Sequence, residues 1–359
     1  MIKIYQNYLI GLFFKKILVA TLIFSLLIFI LSMFEEINFF KDLNIGFFNP
    51  LILVLLNIPS TLFLIFPFIF FLSAQFLFID LIKKNELDIF KIHSLDNLKI
   101  IKILFFSSFI FGLFISTFFY SFSAKLKFIY LDYKNDYSKD NKYLATSTEN
   151  GLWIKDEINN SIYIINAKNI EAEHLNDVII MEFNKNFTIK RIINAETINI
   201  KNTTWIIYSP VVANNNVTTV MNENITLVTH FDSEKINNLF DNLSSISLFE
   251  FKDLIKDYNE MGYSTDRIKN HLYKILILPI YLGLVTVLSS IIMLNIKRSK
   301  SMIFHILFGV MLCVIIYYLN YLFGLLGETD KIPSLLSIIF PLFILFIINT
   351  VGLVRINEK

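Results

Sequence analysis

The feature that most constrains this chain is its division into an apolar beginning, a polar middle and an apolar end. A bilayer core roughly 30 Å thick is crossed by about 20 apolar residues in a helix. Three stretches before the polar middle and three after it are long enough: Ile17–Phe34, Leu51–Ile79, Ile103–Phe122, Ile275–Leu294, Ile303–Leu326 and Ile332–Leu353. The sequence therefore predicts a membrane protein with six transmembrane helices and an insert between the third and the fourth.

The charges of the short loops predict the side of the membrane on which each loop lies, because cytoplasmic loops are enriched in Lys and Arg. Basic residues are concentrated before the first span, between the second and third spans, and between the fourth and fifth: Lys3, Lys15, Lys16, Lys83, Lys84, Lys91, Lys99, Lys102, Lys297, Arg298 and Lys300. The loop after the first span instead begins with Glu35 and Glu36, and the loop before the sixth contains Glu328 and Asp330. We expect both termini in the cytoplasm and the polar insert on the opposite side.

The polar insert contains short runs rich in Ile, Val, Thr and aromatic residues, separated by clusters of Asn, Asp, Lys and Ser. These runs are residues 151–155, 161–165, 177–183, 190–193, 204–208 and 224–229. Their length and spacing are typical of antiparallel strands. The insert is therefore predicted to be an all-β domain, a sandwich or a roll.

A helical pattern follows the strands. Apolar residues recur at helical spacing at Leu248, Phe251, Leu254, Ile255 and Tyr258. This pattern predicts an amphipathic helix lying at the outer membrane surface, and an ordinary connector helix fits it equally well. We expect three parts in the chain: residues 1–122 with the first three spans, residues 123–246 with the β domain, and residues 247–359 with the amphipathic helix and the last three spans.

The sequence contains no recognisable catalytic or cofactor motif. It has no glycine-rich phosphate loop, no HExxH, no CxxC and no nucleophile elbow, and its five histidines show no metal-ligand spacing. We therefore predict no catalytic residue, no metal and no cofactor. Without a basic stripe outside the short loops, nothing supports a nucleic-acid partner. Since no ionisable residues follow one another through the spans, a transporter of this kind would need energy from another subunit.

The loop between the second and third spans, at about residues 82–95, is predicted to form a short cytoplasmic helix. Leu87, Phe90 and Ile92 offer apolar contacts, while Glu86 and Asp88 are acidic residues in a basic loop. Such a helix can insert into a groove on a soluble partner. A simple turn between two spans is the alternative interpretation.

Several segments, in this order, resemble the YjgP/YjgQ permease family, whose members are of the LptF and LptG types. They are Phe66-Pro67 followed by Asn85-Glu86-Leu87, the segment Gly151-Leu-Trp-Ile-Lys-Asp156 with Ile162-Tyr-Ile164, the stretch Leu254–Gly262, and the pairs Ile332-Pro333 and Phe340-Pro341. The resemblance covers essentially the whole chain. The Gly-Leu-Trp segment favours the LptG type.

The resemblance implies a fold of six transmembrane helices with a periplasmic β-jellyroll between the third and fourth. It implies a non-enzymatic permease subunit of the ATP-driven lipopolysaccharide exporter in the bacterial inner membrane. The lipid is extracted from the outer leaflet and passed to a periplasmic bridge. The partners implied are an LptF-like permease in a heterodimer, an LptB-like ATPase dimer, an LptC-like single-span protein and an LptA-like bridge protein.

The resemblance also assigns roles to individual residues. Glu86 matches the coupling-helix glutamate, which is expected to meet a basic residue of the ATPase, and Leu87, Asp88 and Phe90 lie beside it in the same helix. The aromatic positions near the lipid cavity are matched by Phe34 and Phe66, with Pro67 next to the latter, although a packing role is also compatible. Lys41 is the basic residue left near the outer end of the first span, where the family uses lysines to bind lipid phosphates.

Two other functions remain open from the sequence. One is a permease of another lipid or lipoprotein ABC system, although such permeases usually have a different arrangement of spans. The other is a membrane-anchored scaffold or sensor whose outer β domain binds a ligand. Such a protein would need no cytoplasmic coupling helix and no ATPase partner.

Overall fold

The computed structural model describes residues 4–41, 46, 48–92, 95–137, 152–158, 161–171, 173–185, 187–214, 217–221, 223–233, 236, 242–260, 263–295, 302–329 and 331–357. The chain forms two compact units, one of Met1–Lys127 with Asp266–Lys359 and one of Phe128–Thr265. The predicted boundaries at residues 122 and 246 remain a prediction. The basic loop at residues 297–300 lies outside the described residues, as does Gly151 at the start of the Gly-Leu-Trp segment.

The first unit is built from long apolar helices. In chain order the α-helices whose bounds the structure describes are α1 (Ile4–Phe39), α2 (Phe48–Lys83), α3 (Glu86–Ile92), α4 (Asn97–Phe114), α5 (Tyr120–Asp136), α6 (Phe251–Glu260), α7 (Asp266–Leu294), α8 (Met302–Glu328) and α9 (Ser334–Asn357). A π-helical turn, Ile115–Phe119, joins α4 to α5 within the third span. Among the described residues, six helical segments are long and apolar enough to cross a membrane, which confirms the predicted spans.

Two helices, α2 and α7, form the centre of this unit. In their most apolar segments 67% and 78% of the residues are buried, against 22% in α1 and 17% in α8. The core around α2 contains Phe66, Phe70 and Phe78 together with Leu9 and Phe13 of α1. The exposed apolar faces of α1 and α8 are therefore the surfaces that lipid or partner helices would cover.

Small residues allow α4 and α7 to approach each other closely. A Cβ atom at Gly112 would stand 2.7 Å from the Cα atom of Pro279, and one at Gly283 would stand 2.7 Å from the ring of Phe105. The Ser108 hydroxyl also donates a hydrogen bond to the Thr286 hydroxyl at 2.9 Å. Close backbone approach and interhelical hydrogen bonds are the main forces between helices in a bilayer, where apolar burial contributes little.

The second unit contains an antiparallel sheet. Its strands are β1 (Leu152–Ile158), β2 (Ser161–Glu171), β3 (His174–Asn184), β4 (Ile189–Asn199), β5 (Thr204–Ile207), β6 (Val211–Asn214), β7 (Val217–Val220) and β8 (Ile225–Val228). The order is β1-β2-β3-β4-β5-β8, and β6 pairs with β4 and β7. The predicted all-β insert is confirmed. The sequence patterns missed the β6–β7 hairpin, whose strands are only four residues long.

The core of the sheet is formed mainly by alternate residues of the long strands, as period-two strands require, and the alternation shifts by one residue between Leu175 and Val178. Leu175, Val178, Ile180 and Ile193 are almost fully buried in it. Trp205 is completely enclosed, and its indole N–H donates to the carbonyl of Phe231 at 2.8 Å. The hydrogen bond satisfies the only polar atom of the indole ring, so the whole side chain can be buried without an unpaired donor.

The two end strands of the sheet order are connected by side-chain hydrogen bonds. Asp156 of β1 accepts a hydrogen bond from the backbone N–H of His230, two residues after β8, at 3.1 Å. Its other oxygen lies 2.7 Å from Nδ1 of the same histidine. The sheet is thus curled enough for its first and last strands to approach each other. A buried carboxylate with these partners holds that curvature in place.

Candidate functional site

The short helix α3 begins directly after a sharp turn at the end of α2. Asn85, in the turn, has a φ of 58°, a left-handed conformation that Asn tolerates better than most residues. The turn allows α3 to fold back beside the end of α2. On the other side, the backbone N–H of Leu95 donates to the carbonyl of Phe90 at 3.0 Å, and α4 begins two residues later.

The seven residues of α3 divide into an inner and an outer face. Leu87 is buried in the core of the helical unit, and Phe90 packs against the same core. On the outer face, Ile89 and Ile92 are 50% and 80% exposed. Asp88 and Lys91 are also exposed: with these isoleucines they form the free surface of α3, which combines apolar and charged contacts.

Glu86 lies at the edge of this surface and is held by α1. The Tyr8 hydroxyl donates to one carboxylate oxygen of Glu86 at 2.8 Å, and the Lys84 ammonium lies 4.0 Å from the other. The Tyr8 ring also meets the ring of Phe90 edge-on, with centroids 6.4 Å apart. The Glu86 side chain is 23% exposed, so a cation from outside the chain can still reach its carboxylate.

A second polar link joins α1 to α2 near the same end of the bundle. The Lys16 ammonium lies 2.5 Å from a carboxylate oxygen of Asp80, and both side chains are only partly exposed. The ion pair anchors the first span to the second, close to the turn that leads into α3.

The residues expected near a lipid cavity lie in two different environments. Phe34 is 66% exposed on the outside of α1, and Lys41 is exposed just beyond its end. Phe66 is 4% exposed, packed edge-on against Phe119 of the π-helical turn at 5.2 Å, and Pro67 is buried beside it. In this conformation Phe34 and Lys41 are accessible to a lipid, and Phe66 and Pro67 are part of the bundle core.

The two glutamates after Phe34 point in different directions. Glu35 is exposed on the same side of α1 as Phe34, whereas Glu36 is buried within the helical unit at 1% exposure. Only one of the two acids therefore faces outward at this end of α1. The basic Lys41 and the acidic Glu35 are the exposed charges that a lipid headgroup would meet on the described part of this helix end.

The β unit contains a compact charged cluster on neighbouring strands. Arg191 of β4 donates to Glu182 of β3 at 2.6 Å, and Lys190 lies 3.5 Å from the other carboxylate oxygen. Burial by itself would raise the pKa of Glu182, but the hydrogen bond and charge of Arg191 outweigh it and leave the pKa below its ordinary value. Burial raises the pKa of the neighbouring Tyr163, and the negative charge of Glu182 raises it further. The cluster has the features of a structural ion pair.

A metal site is not found in the part of the chain that the structure describes. No group of three or more His, Cys, Asp or Glu side chains is placed there to hold an ion. The one cysteine, Cys313, is buried in the helical unit. What the described residues offer is an exposed surface on α3 that is both charged and apolar, and an apolar exterior on the spans.

Six spanning helices, an inserted antiparallel β unit and a charged helix between two spans define a multi-pass membrane protein of the transporter type. The family described as lipopolysaccharide export system permease LptF/LptG matches residues 7–355. The chain therefore belongs to the LptF/LptG family of inner-membrane permeases for lipopolysaccharide export, which act within the Lpt complex as non-enzymatic subunits. No curated protein matches the chain closely enough to count as a relative.

Two features of the α3 region were not identified from the sequence. Tyr8 lies 78 residues before Glu86, and nothing in a one-dimensional pattern connects them. Ile89 was not singled out, although its exposure makes it one of the apolar contacts of the free surface. A stricter count of helical spacing would have separated Leu87 and Phe90, three residues apart on one face, from Ile89 and Ile92 on another.

Proposed function

We propose that this chain is the LptG-type permease subunit of the ATP-driven lipopolysaccharide exporter and that α3 is its coupling helix. The observation that carries the proposal is the double attachment of α3. Leu87 anchors it in the core of the spans, and Tyr8 connects Glu86 to α1. A helix attached in this way moves the spans when a soluble partner moves it.

The free surface of α3 suits an ATPase partner of the LptB type. Ile89 and Ile92 supply apolar area, and Asp88 and Glu86 supply negative charge for a basic residue of the ATPase. Closure of an ATPase dimer on ATP would then displace α3. The displacement passes to α1 through Tyr8 and to α2 through the continuous chain.

We propose that α1 transmits this movement from Tyr8 to its outer end. A helix of 36 residues is about 54 Å long, which is more than the thickness of the bilayer core. Movement at Tyr8 therefore reaches Phe34 and Lys41, the exposed residues proposed to meet the acyl chains and a phosphate of the lipid. Lipopolysaccharide would be displaced from the outer leaflet towards the β unit and then to an LptA-like bridge.

The orientation belongs to the same proposal: both termini and α3 are cytoplasmic, and the β unit is periplasmic. The chain has one cysteine, Cys313, which is buried, so Cys313→Ser gives a cysteine-free background. A cysteine introduced at the exposed Lys185 should react with an impermeant maleimide in cells whose outer membrane is opened. One introduced at the exposed Lys91 should react only after the inner membrane is opened. The reverse pattern would contradict the orientation.

Co-purification tests the proposed assembly. The tagged chain, extracted in mild detergent, should bring down an LptB-like ATPase, an LptF-like permease and an LptC-like single-span protein. Recovery of the chain without any ATPase would overturn the transport proposal and favour the membrane-anchored scaffold or sensor. Recovery of two copies of this chain with the ATPase, and no second permease, would contradict the heterodimer.

A further inference from the structure

A groove on the outside of the helical unit runs between α1 and α4. It has a volume of about 360 Å³ and is lined by Tyr5, Gln6, Ile10, Lys99, Lys102, Ile103, Phe106, Ser107 and Ile110. None of these residues belongs to the α3 surface or to the positions proposed for lipopolysaccharide. The groove is open to the surroundings of the spans, so its occupant comes from the membrane or its edge.

The lining of the groove changes from polar to apolar along its length. At the end where α1 and α4 both begin, Tyr5, Gln6, Lys99 and Lys102 bring two ammonium groups and further hydrogen-bonding atoms together, and no carboxylate lines the groove. Further along, the lining residues are apolar except for Ser107, whose hydroxyl already donates to the carbonyl of Ile103 at 2.7 Å. A polar, cationic end and an apolar remainder match an anionic headgroup followed by an acyl chain.

The length of the groove matches one leaflet. From Lys99 to Ile110 along α4, at 1.5 Å per residue, the distance is about 16 Å, which is about half of a bilayer core. Phe14 and Phe111 lie one helical turn beyond Ile10 and Ser107, and their rings meet at 4.9 Å. This contact joins α1 and α4 just beyond the lining residues. An acyl chain of one leaflet fits along the groove between the lysines and this contact.

The two lysines differ in their partners. Lys99 lies 3.5 Å from Asp96, a pair whose side chains are 53% and 70% exposed and which contributes little when both groups are solvated. Lys102 is exposed and forms no ion pair with any described residue. Its long side chain can extend towards the headgroup region while its methylene groups cover apolar surface. Lys102 is therefore the residue best placed to bind a phosphate.

We infer that this groove binds an anionic glycerophospholipid, such as phosphatidylglycerol, from the leaflet on the side of the chain's N-terminus. That leaflet is the cytoplasmic one under the orientation proposed above, on which this part of the inference rests. The bound lipid would fill the gap between the first and third spans, two helices that touch each other only through part of their length. It is distinct from the transported lipid, which the proposed function takes from the opposite leaflet.

The test uses the purified complex in nanodiscs that contain a photoactivatable phosphatidylglycerol with the reactive group in the acyl chain. Cross-links should map to α1 around Ile10 and to α4 between Ile103 and Ile110. In the double variant Lys99→Gln/Lys102→Gln, labelling should fall about 25-fold, since each lysine near an anionic surface is worth about a factor of five. Lys99→Arg/Lys102→Arg should retain the labelling, and Lys83→Gln, an exposed lysine outside the groove, serves as the matched control.

Three results would overturn the inference. The first is equal labelling of the wild type and the Gln double variant, and the second is equal labelling by a phosphatidylcholine probe of the same acyl chain. The third is cross-linking of a partner helix in place of lipid at Ile103–Ile110. Cross-linking is read without ATP or lipopolysaccharide, so it is independent of transport. The cysteine-labelling experiment shows separately whether the orientation, and hence the leaflet, is wrong.

Discussion

The Tyr8 hydroxyl donates a hydrogen bond to a carboxylate oxygen of Glu86 at 2.8 Å, which connects the first span to the short helix between the second and third. The edge-on contact between the rings of Tyr8 and Phe90 adds a second connection to the same helix. A residue expected to bind the ATPase is therefore already oriented by a residue of the chain's own first helix. Tyr8 is thus a positioning residue in the proposed coupling.

Removing only the hydroxyl of Tyr8 tests this role. A hydrogen bond to a charged group at a partly exposed site contributes about 1 kcal/mol, so Tyr8→Phe should lower lipopolysaccharide-stimulated ATP hydrolysis about fivefold. The amount of ATPase bound to the complex should stay the same, because the outer face of α3 is intact. Tyr318→Phe, which changes an exposed tyrosine of α8, is the control. Unchanged stimulation in Tyr8→Phe would refute the positioning role.

The charge of Glu86 can be separated from its hydrogen bond. Glu86→Gln keeps an oxygen that accepts from Tyr8 but removes the negative charge, while Glu86→Arg reverses the charge. We expect the ATPase to co-purify less in the first variant and to be lost in the second, because a cation of the partner then meets a neutral or a like-charged group. If the Glu86→Arg variant retained the ATPase fully, Glu86 would not be part of the interface with the ATPase.

The two faces of α3 should respond differently to substitution. Ile92→Asp places a charge on the exposed face and should weaken ATPase binding about tenfold without affecting the fold of the chain. Leu87→Ala removes buried apolar atoms and should destabilise the helical unit by about 2 kcal/mol. Thermal unfolding of each variant in detergent, measured beside ATPase retention, distinguishes the two effects. Equal unfolding temperatures for Leu87→Ala and wild type would contradict the inner position of Leu87.

Lys41 is proposed to bind a phosphate of the transported lipid. Lys41→Glu adds an exposed acid to the end of α1, which already carries Glu35, so lipopolysaccharide affinity should fall about fivefold. Lys185→Glu makes the same charge change on an exposed lysine of the β unit. Lipid-stimulated ATP hydrolysis as a function of lipopolysaccharide concentration gives the apparent affinity. Identical curves for Lys41→Glu and the wild type would exclude a phosphate contact there.

The ion pair of Glu182 with Arg191 should make the β unit sensitive to acid. The pKa of Glu182 is below its ordinary value of 4.5 in the folded chain, so the unfolded chain binds the proton more readily. The stabilisation is fully present at pH values above the ordinary pKa. It is lost as the pH falls through the lower pKa that Glu182 has in the folded chain. Both tryptophans of the chain, Trp153 and Trp205, belong to the β unit, so the fluorescence of the full chain follows its unfolding.

The matched variant for that experiment is Glu182→Gln, which cannot ionise. Its unfolding temperature should lie below that of the wild type at neutral pH, and the difference should shrink as the pH is lowered below 4.5. Asp177→Asn, at an exposed acid on the same strand β3, is the control. A difference that does not depend on pH would show that the charge of Glu182 contributes nothing to stability.

The features that were predicted correctly from the sequence are those that depend on neighbouring residues. A spanning helix needs only an uninterrupted apolar stretch, so Leu51–Ile79 predicted α2 directly, and period-two alternation predicted the strands. The family was also evident from motifs in order along the chain. The strands β6 and β7 were missed, although β5 and β8, which are equally short, were predicted within the runs 204–208 and 224–229.

Only the tertiary structure decided which helices lie at the centre of the bundle and which of their faces are buried. The apolar stretches of α1 and α2 look alike in sequence, yet α2 lies at the centre of the bundle and α1 at its edge. For the same reason Phe34 and Phe66, two similar residues in two similar helices, end up exposed and buried respectively. Burial depends on which helices pack against a residue, and the bond from Tyr8 to Glu86 exists because α1 lies beside α3. The local pattern of apolar residues determined the elements, and contacts between residues far apart in the chain determined the site.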